Sequence, residues 1–279
     1  MFVEINGAKL YVEVLGEKAD APVMIVHHGA PGLGSHAEPK ASFGPFADTY
    51  RVLVFDARGS GASEEKPPYT HEQWAADVDG LRRWIGAEAI VMAGGSYGGF
   101  IAMEYALRYP DRVLALVLRD TAADHDHLEA SRRNALASAR IEVDLELYDR
   151  MMSGQVRDNE DFKRGWAHIL PLYDHELDLE RVRERAENTP YHYETHNHAF
   201  AVNHPNYDLK PLLPQIRVPT LITVGRSDWI TPVAASETIA GLIPNSELVV
   251  FEESGHSPPT EEPEKFQRTV RDFLSRAFG

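Results

Sequence analysis

The stretch Ala89-Ile90-Val91-Met92-Ala93-Gly94-Gly95-Ser96-Tyr97-Gly98-Gly99-Phe100 decides the fold. It opens as a short continuous apolar run and turns through glycines around one serine. A helical pattern then runs to about Arg108, where Pro110 stops it. A serine hydroxyl is a poor nucleophile until a base takes its proton. It must also project from a sheet rather than lie along it. A sharp strand-to-helix turn does this, and small flanking residues let strand and helix approach closely. A bare five-residue match would be only a glycine-rich turn with an ordinary serine. The strand before Ser96 and the helix after it give the match its weight.

Outward from this segment, the apolar runs Val23–His27, Arg51–Phe55 and Val113–Leu118 are continuous rather than alternating. That suits strands buried on both faces, in a parallel sheet covered by helices. Phe2–Ile5 and Lys9–Val14 flank Asn6-Gly7, a two-residue hairpin signal. A helix is expected from about His71 to Ile85, with Thr70 as N-cap. After Asp120 the pattern changes. Leu145–Met152, Glu160–Ile169 and Leu179–Glu187 read as helices, a His-rich stretch Tyr191–His204 follows, and no strand is expected before Asp208. Alternation returns with Pro219–Val224, Val233–Ile243, Glu247–Phe251 and a last helix at about Pro263–Phe278. The fold class is therefore α/β, a mostly parallel central sheet with helices on both faces. Residues 1–120 and 209–279 form the core, and 121–208 form a helical insertion.

The strand Thr220–Val224 runs into Gly225-Arg226-Ser227-Asp228, and Glu247–Phe251 runs into Glu252-Glu253-Ser254-Gly255-His256. Both groups fall just past strand C-termini, the edge where open α/β sheets place their sites. Nucleophile, acid and base thus follow in the order Ser96, Asp228, His256. Asp228 could alternatively cap the helix beginning near Pro232, and Asp120, after Val113–Leu118, competes for the role of acid. The oxyanion of a tetrahedral intermediate needs two fixed N–H donors. Tyr97 supplies one, and the loop His28-Gly29-Ala30-Pro31-Gly32 the other. Pro31 has no N–H, so Ala30 is the better candidate, with Gly29 next.

The bulk properties narrow the class further. The 279 residues are 43% hydrophobic, enough for a sizeable core. The absence of cysteine excludes a thiolate nucleophile and a Cys-ligated zinc. A formal net charge of −15 argues against nucleic-acid and anionic-membrane partners. The N-terminus carries no signal-peptide pattern and no apolar stretch is long enough to span a bilayer, so a cytoplasmic protein is expected.

The segments His28-Gly29-Ala30-Pro31-Gly32, Asp56-Ala57-Arg58-Gly59-Ser60-Gly61-Ala62-Ser63, Gly94-Gly95-Ser96-Tyr97-Gly98-Gly99, Gly225-Arg226-Ser227-Asp228 and Ser254-Gly255-His256-Ser257 resemble the proline iminopeptidase branch of the α/β-hydrolases. The resemblance spans nearly all of the core. It implies the α/β-hydrolase fold and an aminopeptidase that releases N-terminal proline from short peptides, without metal or cofactor. It also implies that residues 121–208 are a helical cap. The Asp56–Ser63 loop reads as structural. Two departures stand out. Position 30 is Ala where the family usually has Gly, which keeps the N–H. A cationic N-terminus calls for carboxylates near the scissile bond. In some members a Glu follows the catalytic Asp, but here Trp229 does. The segment Asn203–Asp208, with Tyr207, stands where a cap carboxylate is expected, and Asp208 or Glu194 could substitute. Gly29, Trp229, Glu194 and Tyr207 are thus the substrate-binding candidates.

His192, His196, His198 and His204 lack the spacing of a zinc site and read as pocket-lining or surface residues, so no metal is expected. The expected activity is that of a serine hydrolase acting through an acyl-enzyme on a prolyl peptide, or on a small ester, lactone or amide. Trp229, Tyr97 and the cap aromatics suit an apolar or ring-bearing acyl group. A non-catalytic ligand-binding relative is the other class, and the presence of all three triad members favours an enzyme. Ser96 at the nucleophile position excludes a dehalogenase, which needs Asp there.

Overall fold

The computed structural model describes residues 1–278. Eight strands form one sheet: β1 Phe2–Ile5, β2 Ala8–Leu15, β3 Val23–His27, β4 Arg51–Phe55, β5 Ile90–Gly95, β6 Val113–Arg119, β7 Thr220–Gly225 and β8 Ser246–Phe251. Their spatial order is β1-β2-β4-β3-β5-β6-β7-β8. β1 pairs antiparallel with β2 through Asn6-Gly7, both at positive φ, and β2 pairs antiparallel with β4. The remaining pairs are parallel. β3, β5 and β7 are buried along their whole length, as their continuous apolar runs require.

Eleven α-helices accompany the strands among the described residues. In chain order they are α1 Ala37–Phe43, α2 His71–Trp84, α3 Tyr97–Arg108, α4 His127–Ala137, α5 Leu145–Met152, α6 Asn159–Ile169, α7 Leu179–Asn188, α8 Tyr193–His198, α9 Val233–Leu242, α10 Pro258–Glu261 and α11 Pro263–Phe278. Side chains alternate across each strand, so the sheet feeds two cores. Ile25 and Met92 face α2 and α3, with Leu81 and Ile101 among their partners. Met24, Val26 and Val91 face the opposite side, where α11 contributes Phe266, Val270 and Phe273. Thr70 caps α2 by accepting from the Gln73 N–H (3.2 Å).

Five helices, α4 to α8, lie between β6 and β7 without a strand. They carry their own apolar cluster around Phe162, Trp166 and Ile169, which takes in Trp229 and Ile230 from the loop after β7. α1, α4, α8 and α10 were not anticipated from the sequence. α8 passes without a break into a π-helical turn, Ala199–Asn203, and a 3₁₀ turn, His204–Asn206. A π turn is wider and a 3₁₀ turn tighter than an α turn, so both disrupt the 3.6-residue period on which helix recognition depends. No helix among the described residues is long and apolar enough to cross a membrane.

Candidate active site

β5 delivers Ser96 to the C-terminal edge of the sheet, at φ 54° and ψ −126°. A non-glycine residue there stores about 1–3 kcal/mol and persists only where its surroundings fix it. The Ser96 N–H donates to the Arg119 carbonyl (2.9 Å). The Ser96 carbonyl accepts from the Gly99 N–H (2.9 Å) and from Thr121 Oγ1 (2.7 Å). Space forces the glycines on either side. A Cβ on Gly98 would strike the carbonyls of His27 and His28, and one on Gly94 would strike the carbonyl of Gly98.

The loop after β3 turns back over the serine. A Cβ on Gly29 would stand 3.6 Å from the Ser96 Cβ. His28 braces this loop. Its Nε2 accepts from the Ala57 N–H (3.0 Å), which leaves Nδ1 to donate to the Gly29 carbonyl (3.0 Å). Burial pushes its pKa down, which keeps it neutral. Ala30, Ser96 and Tyr97 line one cavity. Among the described residues, no backbone carbonyl accepts from the N–H of Ala30 or of Tyr97.

The loops after β7 and β8 meet at His256. Its Nδ1 lies 2.8 Å from Asp228 Oδ2, so Nδ1 carries the proton and Nε2 keeps its lone pair. Asp228 is itself fixed. Oδ1 accepts from the Ile230 and Thr231 N–H groups (both 3.0 Å), and Oδ2 accepts from Thr231 Oγ1 (2.7 Å). The His256 N–H donates to the Tyr173 carbonyl (2.7 Å), and Arg119 Nη1 donates to the His256 carbonyl (3.1 Å). Burial opposes a charge on the imidazole. The charge and hydrogen bond of Asp228, aided by Asp120, outweigh it and raise the pKa of His256 above its ordinary value.

Asp120 is fully buried at φ 47°, with Oδ1 accepting from the Gly225 N–H (2.9 Å). Ligand atoms of Asp120, Asp228 and His256 lie within 4.8 Å of one another. Burial, then the charge of Asp228, pushes the Asp120 carboxyl up. Asp228 is therefore the carboxylate that bonds the imidazole, while Asp120 sits one step behind. Sequence reading weighed Asp120 but did not anticipate Thr231 or Arg119, whose types carry no catalytic signal. Nor did it anticipate the Tyr173 carbonyl, which arrives from the helical insertion.

Two cavities meet at Ser96. An outer one of about 450 Å³ is lined by Gly29, Ala30, Ser96 and His256 on the sheet side, and by Arg181, Glu184 and Arg185 of α7 opposite. An inner one of about 50 Å³ is lined by Ser96 and Tyr97, by Phe100, and by Met151, Trp166 and Phe200 among the insertion residues. No Asp, Glu, Lys or Arg is among the described residues lining the inner cavity.

The other substrate-binding candidates stand off these walls. Trp229 is buried against Tyr173 (ring centroids 5.5 Å apart), and its successors Ile230 and Thr231 reach the cavity instead. Tyr207 lies behind Phe100 (4.4 Å, stacked) and donates its hydroxyl to the Ala122 carbonyl (3.1 Å). Glu194 is exposed on α8, where it accepts from the Tyr193 hydroxyl (3.3 Å), and Asp208 is exposed as well. Of the four histidines of the His-rich stretch, His196 and His204 line the inner cavity. His192 reaches the Gly61 carbonyl (2.9 Å), and His198 packs against Tyr69.

Comparison with known proteins points the same way. The family model described as the alpha/beta hydrolase fold matches residues 22–263. The chain is 36% identical to proline iminopeptidase PfmaB of Pestalotiopsis fici, over 99% of each chain. It is 29% identical to a 2-hydroxymuconate semialdehyde hydrolase of Pseudomonas putida, over 92% of this chain and 88% of that one. Among solved structures, a thermophilic esterase from Thermogutta terrifontis superposes with a TM-score of 0.76 at 29% identity, covering 99% of both chains.

Proposed function

The chain belongs to the α/β-hydrolase family, and on that premise we propose that it is a serine hydrolase working through an acyl-enzyme, with Ser96, His256 and Asp228 as its triad. His256 Nε2 takes the Ser96 hydroxyl proton as Oγ attacks the substrate carbonyl carbon. Asp228 holds the Nδ1–H and stabilises the imidazolium. The N–H groups of Ala30 and Tyr97 receive the negative oxygen. The tetrahedral intermediate collapses, and His256 gives its proton to the leaving group. Water, activated by the same imidazole, then attacks the acyl carbon and frees Ser96. Residues 1–120 and 209–279 act as the catalytic core, with 121–208 as the cap that closes the substrate site.

One observation carries the choice of substrate: the inner cavity beside Ser96 has no charged residue in its described wall. A small apolar acyl group suits that wall, and an ammonium would lose its water without gaining a carboxylate. The acyl donor is therefore a small ester, lactone or amide, and the leaving group occupies the outer cavity. Release of N-terminal proline is the second reading, favoured by the activity named for the 36%-identical relative. The carboxylates available to it line the outer cavity, Glu38 and Glu184, and Glu38 is already paired with Arg119 (2.8 Å).

The test is a side-by-side assay of short p-nitrophenyl esters and prolyl arylamides with the purified protein. We expect ester turnover to exceed arylamide turnover by at least about tenfold, and both to vanish in Ser96→Ala. Faster arylamide turnover would reverse the order of the two readings. Turnover of neither substrate would reject both.

A further inference from the structure

The two sides of a scissile bond are not interchangeable at Ser96. On the serine-hydrolase reading, the oxyanion sits between the Ala30 and Tyr97 N–H groups, and Tyr97 lines the inner cavity but not the outer one. His256 must hand a proton to the leaving atom, and it lines the outer cavity but not the inner one. The leaving group therefore departs outward, and the chain of the acyl group points inward. The two spaces differ greatly in size. The outer cavity measures about 450 Å³ and the inner one about 50 Å³. An apolar cavity of about 150 Å³ takes one benzene molecule. On that scale the inner cavity takes about two carbons beyond the carbonyl. The pyrrolidine ring of a prolyl group would need more than about twice its volume.

The inner wall has a second layer packed behind it, so it cannot widen at little cost. Phe100 stacks on both Tyr207 (4.4 Å) and His204 (5.7 Å). Phe200 stacks on His196 (4.4 Å), whose ring packs in turn against Phe162 (4.3 Å). Met151 closes the wall from α5 and is only 3% exposed. It is held from behind by α6, where a Cβ on Gly165 would strike its Sδ. A longer acyl chain would have to displace side chains that already fill their space. The outer cavity has no such restriction, since it opens between the sheet edge and α7. We propose that the enzyme is selective for acetyl and propionyl esters of larger alcohols, with the short acyl chain in the inner cavity and the alcohol in the outer one. This rests on the serine-hydrolase reading and deepens it by naming the acyl group and the side of the ester that carries the bulk.

Two isomeric esters test the idea, hexyl acetate and ethyl hexanoate. They contain the same atoms and both release a primary alcohol, but the long chain lies on opposite sides of the scissile bond. The expected kcat/KM for hexyl acetate, followed by acid release at constant pH, exceeds that for ethyl hexanoate by about tenfold or more. A ratio of one or below overturns the proposal. A series with one leaving group gives a second readout. From 4-nitrophenyl propionate to 4-nitrophenyl hexanoate kcat/KM should fall by about tenfold or more, and a flat or rising series overturns the proposal. Shortening the wall should undo the preference. In Met151→Ala the ratio of hexyl acetate to ethyl hexanoate should fall toward one. Met152→Ala, on the same wall, serves where the first variant fails to fold. An unchanged ratio in a folded variant overturns the proposal. Fluorophosphonate labelling separates the two levels. Labelling of Ser96 with an isomer ratio near one rejects only the acyl assignment. Absence of both labelling and turnover rejects the hydrolase reading, and the acyl assignment with it.

Discussion

The two walls around Ser96 use the same residue type for opposite ends. On the sheet side His256 is embedded among Asp228, Asp120 and Arg119, and its pKa rises. On the insertion side His127, His196 and His204 bond only to backbone carbonyls or to nothing, and their pKa values fall. Burial is common to both sets. What differs is whether a carboxylate is buried with the imidazole. A base that must accept and release a proton needs the first environment. A wall whose histidines stay neutral needs the second.

Removing the nucleophile breaks the contrast most severely. Ser96→Ala should lower kcat by about 10⁴-fold or more while the thermal unfolding midpoint changes little, since only a hydroxyl is lost. Substantial residual turnover would move the chemistry away from this edge of the sheet. Asp228→Ala comes next, with about a 10³-fold loss, because the imidazole loses both its tautomer and its counter-charge. An equal loss in Asp120→Ala but not in Asp228→Ala would exchange the two acids.

Acid stability probes the neutral set. Burial pushes His27 down to about 3, and His71 and His196 down to about 4. These groups take up protons more readily in the unfolded chain, whose histidines titrate near 6.5. Their contribution is therefore complete above pH 6.5 and is lost as pH falls toward 4. Each contributes about 1.4 kcal/mol per pH unit within that window. With the unfolded histidines half-protonated at pH 6.5, three such groups imply a loss of about 5 kcal/mol between pH 6.5 and 5. Denaturant titrations at the two pH values would check this, and equal midpoints would show that these histidines accept protons in the folded state.

The charged set makes a smaller prediction. With the pKa of His256 raised above 6.5, kcat/KM should fall on the acidic side through a value higher than 6.5. Asp120→Asn removes a carboxyl that favours the imidazolium. It should shift this limb to lower pH and cost roughly tenfold or less in rate, measured as a full pH profile of kcat/KM. The smallest effect belongs to Glu194. It is exposed and off both cavities, so Glu194→Gln should leave kcat/KM unchanged within about twofold on esters and prolyl arylamides alike.

The sequence made the sheet wall legible because its chemistry is local to chain segments. A serine between glycines needs only β5 and α3 beside it. The strand ends before Asp228 and His256 show as apolar runs that stop at polar loops. The glycine spacing and the hairpin at Asn6-Gly7 each follow from steric rules that act over a few residues. The insertion wall lacks such signals. Trp229 and Tyr207 occupy informative positions along the chain, yet one residue's difference in a loop puts Ile230 and Thr231 on the cavity instead of Trp229.

Sequence alone therefore determined the β-strand scaffold, and it singled out Ser96, Asp228 and His256, in that order, as the candidates at its edge. Tertiary structure decided which carboxylate bonds the imidazole, because Asp120 and Asp228 arrive from different strands at nearly the same place. It also decided which histidines line the inner cavity. α8 continues through a π turn and a 3₁₀ turn, and that irregular path sets His196, Phe200 and His204 along one wall. Which side chains meet across that wall depends on how five separate helices pack, a property of the folded whole that no local spacing rule encodes.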